Sequence, residues 1–493
     1  MLSGCDPCKP FAVPVPVEEA NSIGALIDSL PLGRFHVLHV LRQIFLNVNI
    51  AIVIEITPYV LQGLDADFHT SKASQTLYSA LFTGGAVLGA FLVSLQDEFG
   101  RVIIIRWGSF FALLCTVFSM LMPSFALVAA WRVPLGIAFA SMQYGAGAWF
   151  AEFLPTRQRG PLYVCLNLGY PIGRGIAIVT AWNVTGHPWR WMLFLTAVGL
   201  AFIFLTALTL PESARSLAAR GDQPRAYAVM RDVYACNRTP FPESAERVIY
   251  FSKPAGKGRT ESSLLVGSEG KSFKDVWKRL VTRWLSLRLT QPRLLIFALI
   301  LFLGISLQQS LILNWGPSVF QKLLYPNEPT GQLPYGVLFG WNFADFLGLT
   351  TSIFLIDRLG RRFFFVVGFL AAAVLWSFLA SYRSISFAID PSSNPFAGLI
   401  AIGALAQATR AFVPEGGNLW ALESFPTSQR GTLYAAVNVV YQLAATIVVP
   451  ISSVAQDASY ETILLFYAAL HFILGTFTCF LPKETSGVTL DDS

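Results

Sequence analysis

Twelve stretches of about twenty or more mostly apolar residues recur along the chain, at 37–61, 75–96, 102–123, 125–150, 161–182, 190–210, 294–318, 335–356, 363–381, 396–421, 432–454 and 461–481. No other feature narrows the fold as much. An α-helix needs roughly 20 residues to cross some 30 Å of hydrocarbon, and in lipid an isolated stretch can satisfy its backbone N–H and C=O groups only as a helix. The expected fold is an all-α membrane protein of twelve transmembrane helices. Composition agrees, since 13% of the residues are charged where a soluble domain carries about 25%.

Between the sixth and seventh stretches, residues 211–293 turn to charges, Gly, Ser and Pro. The chain therefore divides into an N-terminal tail (1–36), a six-helix bundle (37–210), a soluble linker (211–293), a second six-helix bundle (294–481) and a C-terminal tail (482–493). Within the linker, SKPAGKGRTESSLLVGSEGKS (252–272) has the composition of a disordered segment. The segments on either side of it read as short amphipathic helices on the membrane surface.

Basic residues set the orientation, because short cytoplasmic loops hold the excess of Lys and Arg. One side receives Arg101, Arg106, Arg157, Arg159, Arg358, Arg361, Arg362 and Arg430 with the basic residues of the linker, and the other receives Lys72, Arg190, Lys322 and Arg383. Both termini and the linker are expected in the cytoplasm, in a plasma or organelle membrane. This bias, with attraction to an anionic leaflet, accounts for the net charge of +6 without a nucleic-acid partner. The N-terminus lacks the pattern of a cleaved signal peptide, so the first membrane stretch is expected to do the targeting. The cysteines form no disulfide framework, and the CxxC of Cys5 and Cys8 lacks a second ligand pair, so free thiols or a lipidation site are expected rather than a metal. Asn183 heads a glycosylation sequon against a helix end.

One passage is written twice. EFLPTRQRGPLYVCLN at 152–167 returns as ESFPTSQRGTLYAAVN at 423–438, with Glu, Pro, Thr, Gln, Arg, Gly, Leu, Tyr and Asn at the same offsets. In both copies the Glu ends a membrane helix, a turn with Pro follows, and Arg-Gly opens the next helix. A second repeat agrees with the first: DEFGR at 97–101 and DRLGR at 357–361 each join two helices of one half. Asp and Arg can bridge helix ends there, and Gly permits the tight turn. One such ion would read as a solvated loop charge. Two matched sets, Asp97, Arg101, Glu152 and Arg159 against Asp357, Arg361, Glu423 and Arg430, read as a latch in each half.

These motifs, with DRLGRR at 357–362 and Arg132 and Gly136 in the fourth stretch, resemble the major facilitator superfamily. LPESARSLAARG (210–221), continued by DQPRA, is similar to the sugar porters and their relatives around synaptic vesicle glycoprotein 2. The likeness runs from about Leu30 through the chain. It implies two pseudo-symmetric six-helix bundles related by an axis along the membrane normal and rocking about a central site. It also implies that the latches close when the carrier faces outward and break when it faces inward. A surface pair worth about 0 to 1 kcal/mol suits such a bistable element. The first copy departs from the pattern, with Glu98 for the usual basic residue and Val102 for the second Arg, so its latch is expected to be the weaker.

Ionisable residues inside membrane helices are costly and mark pathways. At 1.5 Å per residue, Arg174, Gln308, Gln309, Asp345, Arg410 and His471 fall near the midplane, and Glu55 and Arg132 in the outer third. Arg174, between Gly173 and Gly175, reads as a clamp on a carboxylate or phosphate, or as the partner of a neighbouring carboxylate. Arg410 offers the same choice, with Glu415 and Asp345 as partners; His471 reads as packing. The resemblance places Asn167 where sugar porters carry a Gln, and Gln308, Gln309 and Asn314 match their helix-seven Gln-Gln and Asn in type and spacing. Ile312 and the Trp315-Gly316-Pro317 that follows Asn314 depart from the sugar pattern towards organic-ion carriers. Proton coupling in sugar porters pairs an Asp of helix one with the Arg of helix four. Here Arg132 is present, Asn49 holds the Asp position, and Glu55 is left to carry a proton or to act as a structural partner of Arg132.

No nucleotide motif, metal cluster or nucleophile with its base is legible, so no enzyme and no cofactor are expected. The expected function is secondary transport of a small organic solute, an organic anion ahead of a sugar because two midplane arginines outnumber one midplane carboxylate. The partners are then the solute, the bilayer and a proton if transport is coupled. A non-transporting receptor on the same scaffold is the alternative. Arg174 and Asp345, at similar depth on helices that the resemblance sets face to face, are expected to pair as a gate.

Overall fold

The computed structural model describes residues 22–155, 158–183, 189–242, 245, 282, 292–324, 335–389, 396–424, 427–455 and 459–482, and all their regular structure is helical. Among the described residues, twelve helices are long and apolar enough to cross a membrane. They form an integral, multi-pass protein whose perimeter carries exposed side chains such as Phe354, Phe466 and Ile473. Lipid, unlike water, accepts such a surface. The stretch 252–272, Cys5 and Cys8 lie outside the described residues.

The first segment is longer than its apolar run predicts, Arg34–Phe68 instead of 37–61. Its two helices, Arg34–Glu55 and Thr57–Phe68, meet at Ile56, with Pro58 in the first turn of the second. Proline is tolerated there because the N–H it lacks would be unsatisfied anyway. Three more segments are interrupted: the fourth at Trp131, the fifth between Leu166 and Gly169, and the tenth at Ala411. Each interruption adjoins a polar residue singled out from the sequence, namely Glu55, Arg132, Asn167 and Arg410. Irregular backbone at membrane depth is tolerated where it is buried in protein or lines a cavity.

Within the first six segments, helices approach until backbones touch. A Cβ on Gly136 would sit 2.1 Å from the Phe82 carbonyl oxygen, so the second and fourth segments cross where neither carries bulk. Small residues at such crossings give the dispersion contacts that hold helices together when lipid removes the hydrophobic drive. Across the halves, the fifth segment packs on the eighth and the second on the eleventh. On the linker side, Ala214–Ala219 and Gln223–Cys236 are helical and pack against Ile23–Ser29. The Asn237 side chain accepts from Phe35 N (2.9 Å) and donates to the Pro31 carbonyl (3.2 Å), pinning the start of segment one.

Candidate functional site

A cavity of about 200 Å³ lies between the halves. Its polar lining comes from Asn47, Gln143, Asn167, Gln309, Asn418, Asn438 and Gln442, with Tyr144, Tyr163, Tyr170, Tyr434 and Tyr441. Four charges meet on its wall. Arg174 Nε donates to Glu55 Oε1 at 2.8 Å, and its Nη1 to Asp345 Oδ2 at 3.1 Å. Asp345 Oδ1 in turn accepts from Arg410 Nη2 at 3.0 Å, and Arg410 Nε donates to Gln407 Oε1 at 2.8 Å. The chain of pairs crosses the boundary once, at Arg174–Asp345.

Local sequence explains why the arginine can stand there. A Cβ on Gly173 would fall 2.1 Å from the Val48 carbonyl oxygen, so the fifth segment lies directly on the first and carries Arg174 to Glu55. Asn342 adds a second tie between halves, donating to the Pro171 carbonyl at 2.7 Å. Two carboxylates face two guanidiniums, and the formal charges cancel. The four groups thus hold one another in place across the wall of the cavity.

Several expectations change here. Glu55 is not in the outer third: with segment one reaching Phe68, it lies level with Arg174 and lines the cavity. Its partner is Arg174 and not Arg132, because Glu55 and Thr57 flank the break at Ile56 and face different ways. Arg132 Nη2 donates instead to Thr57 Oγ1 at 2.9 Å. The arginines therefore do not outnumber the carboxylates. Gln308 does not reach the cavity; it is fully buried, and its Nε2 donates to the Arg410 carbonyl at 3.4 Å. Gln309 does line the cavity and accepts from the Tyr441 hydroxyl. Asn167 lines it too, and its Oδ1 accepts from Asn47 at 3.1 Å. His471 is buried with Nδ1 2.7 Å from the Tyr467 carbonyl oxygen, in a packing role. The side chains of Asn314 and Glu415 lie outside the described residues.

At the linker end, each half joins the Arg of its DxxGR loop to the Glu of its repeated passage. Arg101 meets Glu152 Oε1 through Nε at 3.2 Å and Nη2 at 3.0 Å. Arg361 meets Glu423 through two oxygens, Nε to Oε2 at 3.2 Å and Nη2 to Oε1 at 3.0 Å, and its Nη1 reaches Asp357 at 2.8 Å. The halves also touch each other there. A Cβ on Gly160 would fall 2.2 Å from Asp357 Oδ1, and buried Arg159 lies within electrostatic reach of Glu423. The side chains of Asp97 and Arg430 lie outside the described residues.

Residues 44–493 match the family described as "Sugar (and other) transporter". The chain belongs to that family. It is a secondary transporter of the sugar-porter type and not an enzyme. Among curated proteins it is 24% identical to the "Synaptic vesicle 2-related protein" of Pongo abelii, over 85% of this chain and 72% of that one. It is 22% identical to "Organic cation/carnitine transporter 7" of Arabidopsis thaliana, over 88% of this chain and 89% of that one. The fold is similar to that of the major facilitator proton:xylose symporter XylE bound to 6-bromo-6-deoxy-D-glucose, with a TM-score of 0.68, 17% identity and coverage of 94% of this chain and 99% of that one.

In this family member, three cavity residues, Tyr163, Tyr434 and Asn438, are absent from the sequence expectations although their signal was present. Tyr163 and Asn167 close the first copy of the repeated passage, Tyr434 and Asn438 close the second, and all four line the cavity. A Tyr and an Asn four apart share one helix face. The passage therefore runs from the Arg–Glu pair to the cavity in each half.

Proposed function

We propose that the chain carries a small organic anion together with a proton, by alternating access about the central cavity, with Glu55 as the proton site. The observation that carries the reading is the neutral network Glu55–Arg174–Asp345–Arg410, in which every guanidinium already has a carboxylate. A bare anion finds no unmatched cation there. Protonating Glu55 removes one acceptor from Arg174, and the anion's carboxylate then replaces it atom for atom. Proton and anion enter together, and the network keeps its charge. On the side of higher pH, Glu55 loses its proton, recaptures Arg174 and expels the anion. Because Arg174 also holds Asp345 of the other half, its occupancy biases the joint between the bundles, in the manner of a gate.

Gln309, Asn167, Asn438 and the tyrosines remain to bind the rest of the solute. Their number favours a second reading, a neutral sugar held by amides, to which the sugar-porter relatives also lend weight. The relative named for organic cations and carnitine lends weight to a charged solute. By the bias of basic residues, the tails 1–36 and 482–493 and the linker 211–293 face the cytoplasm, and bundles 37–210 and 294–481 move about the cavity. The latches Arg101–Glu152 and Arg361–Glu423, with Arg159, then close the cytoplasmic side.

Uptake of a panel of small carboxylates and sugars into proteoliposomes, with and without an inside-alkaline gradient, tests the reading. Carboxylate uptake should need the gradient, and Glu55→Gln should keep carboxylate exchange while losing gradient-driven accumulation. Arg174→Gln and Arg410→Gln should each lose carboxylate transport. Sugar uptake without carboxylate uptake, unchanged in Arg174→Gln, would overturn it.

A further inference from the structure

Arg132 has no part in the central network, and nothing yet described neutralises it. It is 4% exposed, inside the first bundle. Among the described residues no carboxylate pairs with it. It donates to Thr57, lies 4.5 Å from the Tyr78 ring and 4.6 Å from the Phe82 ring, and its Nε has no hydrogen-bond partner. Aromatic faces offset part of a buried cation's cost but satisfy no N–H donor. A guanidinium holds its proton at any pH a cell offers, so neutralisation by proton loss is closed to it. A charge in this position calls for a counter-ion.

The space for one is present. Arg132 lines a cavity of about 10 Å³, room for a single water-sized or monoatomic species. Ser119 lines the same cavity, is 3% exposed, and its hydroxyl also has no hydrogen-bond partner. Thr57, Thr116 and Thr196 also line it, their hydroxyl protons given to the backbone carbonyls of Val53, Ala112 and Met192. Two buried donors without acceptors, one of them charged, thus share one small cavity. A water would satisfy the donors and leave the charge; a monoatomic anion would satisfy both.

We propose that this cavity is a binding site for a monoatomic anion, chloride under cellular conditions. The site lies wholly within the first bundle, so the ion is a fixed component and not cargo. It touches Thr57, two residues beyond Glu55 across the break at Ile56, and so it holds the geometry of that break. The inference is independent of what the central cavity carries.

Thermal unfolding of the purified full-length protein tests it without any transport measurement. Chloride is titrated against gluconate at constant ionic strength and pH, and bromide is titrated in its place. The midpoint should rise with halide and saturate, as a ligand specific to the native state requires. Ser119→Ala with Thr57→Val removes the free donor and the oxygen that holds Arg132 over the cavity, so half-saturation should weaken by about tenfold or more, the worth of one hydrogen bond to a charged group. Arg132→Gln should abolish the halide dependence; should that variant not fold, the double variant carries the test. A wild-type midpoint that does not change between chloride and gluconate would overturn the proposal and leave the cavity to a water. So would a halide dependence that the double variant, or a folded Arg132→Gln, leaves intact.

Discussion

Arg101 and Arg361 occupy the same place in the two halves, yet the glutamate each one reaches is used differently. Glu423 offers both oxygens to Arg361, and Asp357 accepts from the same guanidinium. Glu152 offers Oε1 alone, and its Oε2 is buried without a hydrogen-bond partner. A duplicated sequence has thus kept the ion pair and let its geometry diverge. The divergence begins at Glu98 and Val102, where the first copy lacks the basic residues that the second carries as Arg358 and Arg362. Two matched copies of a motif define a common scaffold, and their mismatches indicate where one half has been released.

The largest expected effect comes from removing the centre of the stronger latch. Arg361→Ala strands both oxygens of Glu423, where Arg101→Ala strands one of Glu152, and loss of one partner of a buried pair costs about 3 to 5 kcal/mol. Arg101→Ala should lower the unfolding midpoint of the purified protein less. An equal or larger drop in Arg101→Ala would remove the asymmetry.

A sharper version uses isosteres. Glu423→Gln sets an amide N–H₂ against a guanidinium N–H whichever way it turns, because both carboxylate oxygens are in use. Glu152→Gln can keep its oxygen on Arg101 and turn the N–H₂ to the side where Oε2 has no partner. The expected cost is about 1.5 to 3 kcal/mol for the first, the value of a hydrogen bond to a charged group, and about half that or less for the second. Chemical denaturation of the two variants side by side measures the difference.

Between the halves, Gly160→Ala probes the joint itself. Its Cβ would meet Asp357 Oδ1 at 2.2 Å, and because that carboxylate is tied to Arg361 the strain is expected to fall on the joint between the two loops. A shift of about 1.4 kcal/mol is a tenfold change in the ratio of states. A cysteine placed at Asn438 should react faster with a thiol reagent supplied from the linker side, by roughly that factor. An unchanged rate would mean that the loop gives locally and the joint does not open.

The helix count and the Arg–Glu pair of each repeated passage were legible because each leaves a linear trace: an apolar run and a repeat. Arg174 and Asp345 were legible because a charge in an apolar run has few explanations. Glu55 was misplaced because hydropathy falls off at Asp65 and Asp67 while the helix continues to Phe68, so a boundary drawn on apolarity set the carboxylate too far out. The separation of Arg132 from Glu55 depends on a break at a single residue, Ile56, and no composition window resolves that. Asn167 stood out by its match to the sugar-porter pattern, whereas Tyr163, Tyr434 and Asn438 had their signal only in the repeat, which carries no charge at those positions.

The smallest expected effect tests a substitution of one tie for another. In the first half, Glu212, just past the sixth segment, accepts from Arg101 N at 3.0 Å and Val102 N at 3.3 Å, so its carboxylate caps the N-terminus of Arg101–Leu121. In the second half the arginine that replaces Val102 makes the matching connection: Arg362 Nη2 donates to the Leu481 carbonyl at 2.6 Å, just past the twelfth segment. Both ties bind the loop to the end of the last helix of the half, one with a carboxylate on backbone N–H groups and the other with a guanidinium on a backbone carbonyl. A carboxylate at a helix N-terminus gains from the cap and from the helix dipole, so Glu212→Gln should cost about 0.5 to 2 kcal/mol. Arg362 is exposed and its bond to Leu481 goes to a neutral carbonyl, so losing that bond in Arg362→Gln should cost near the lower end of the 0.5 to 1.5 kcal/mol typical of such bonds. Unfolding midpoints for the two variants should therefore rank Glu212→Gln below Arg362→Gln. The reverse order would show that the arginine added in the second copy strengthens that half beyond its latch, and that Glu212 does not make up for the residue the first copy lacks.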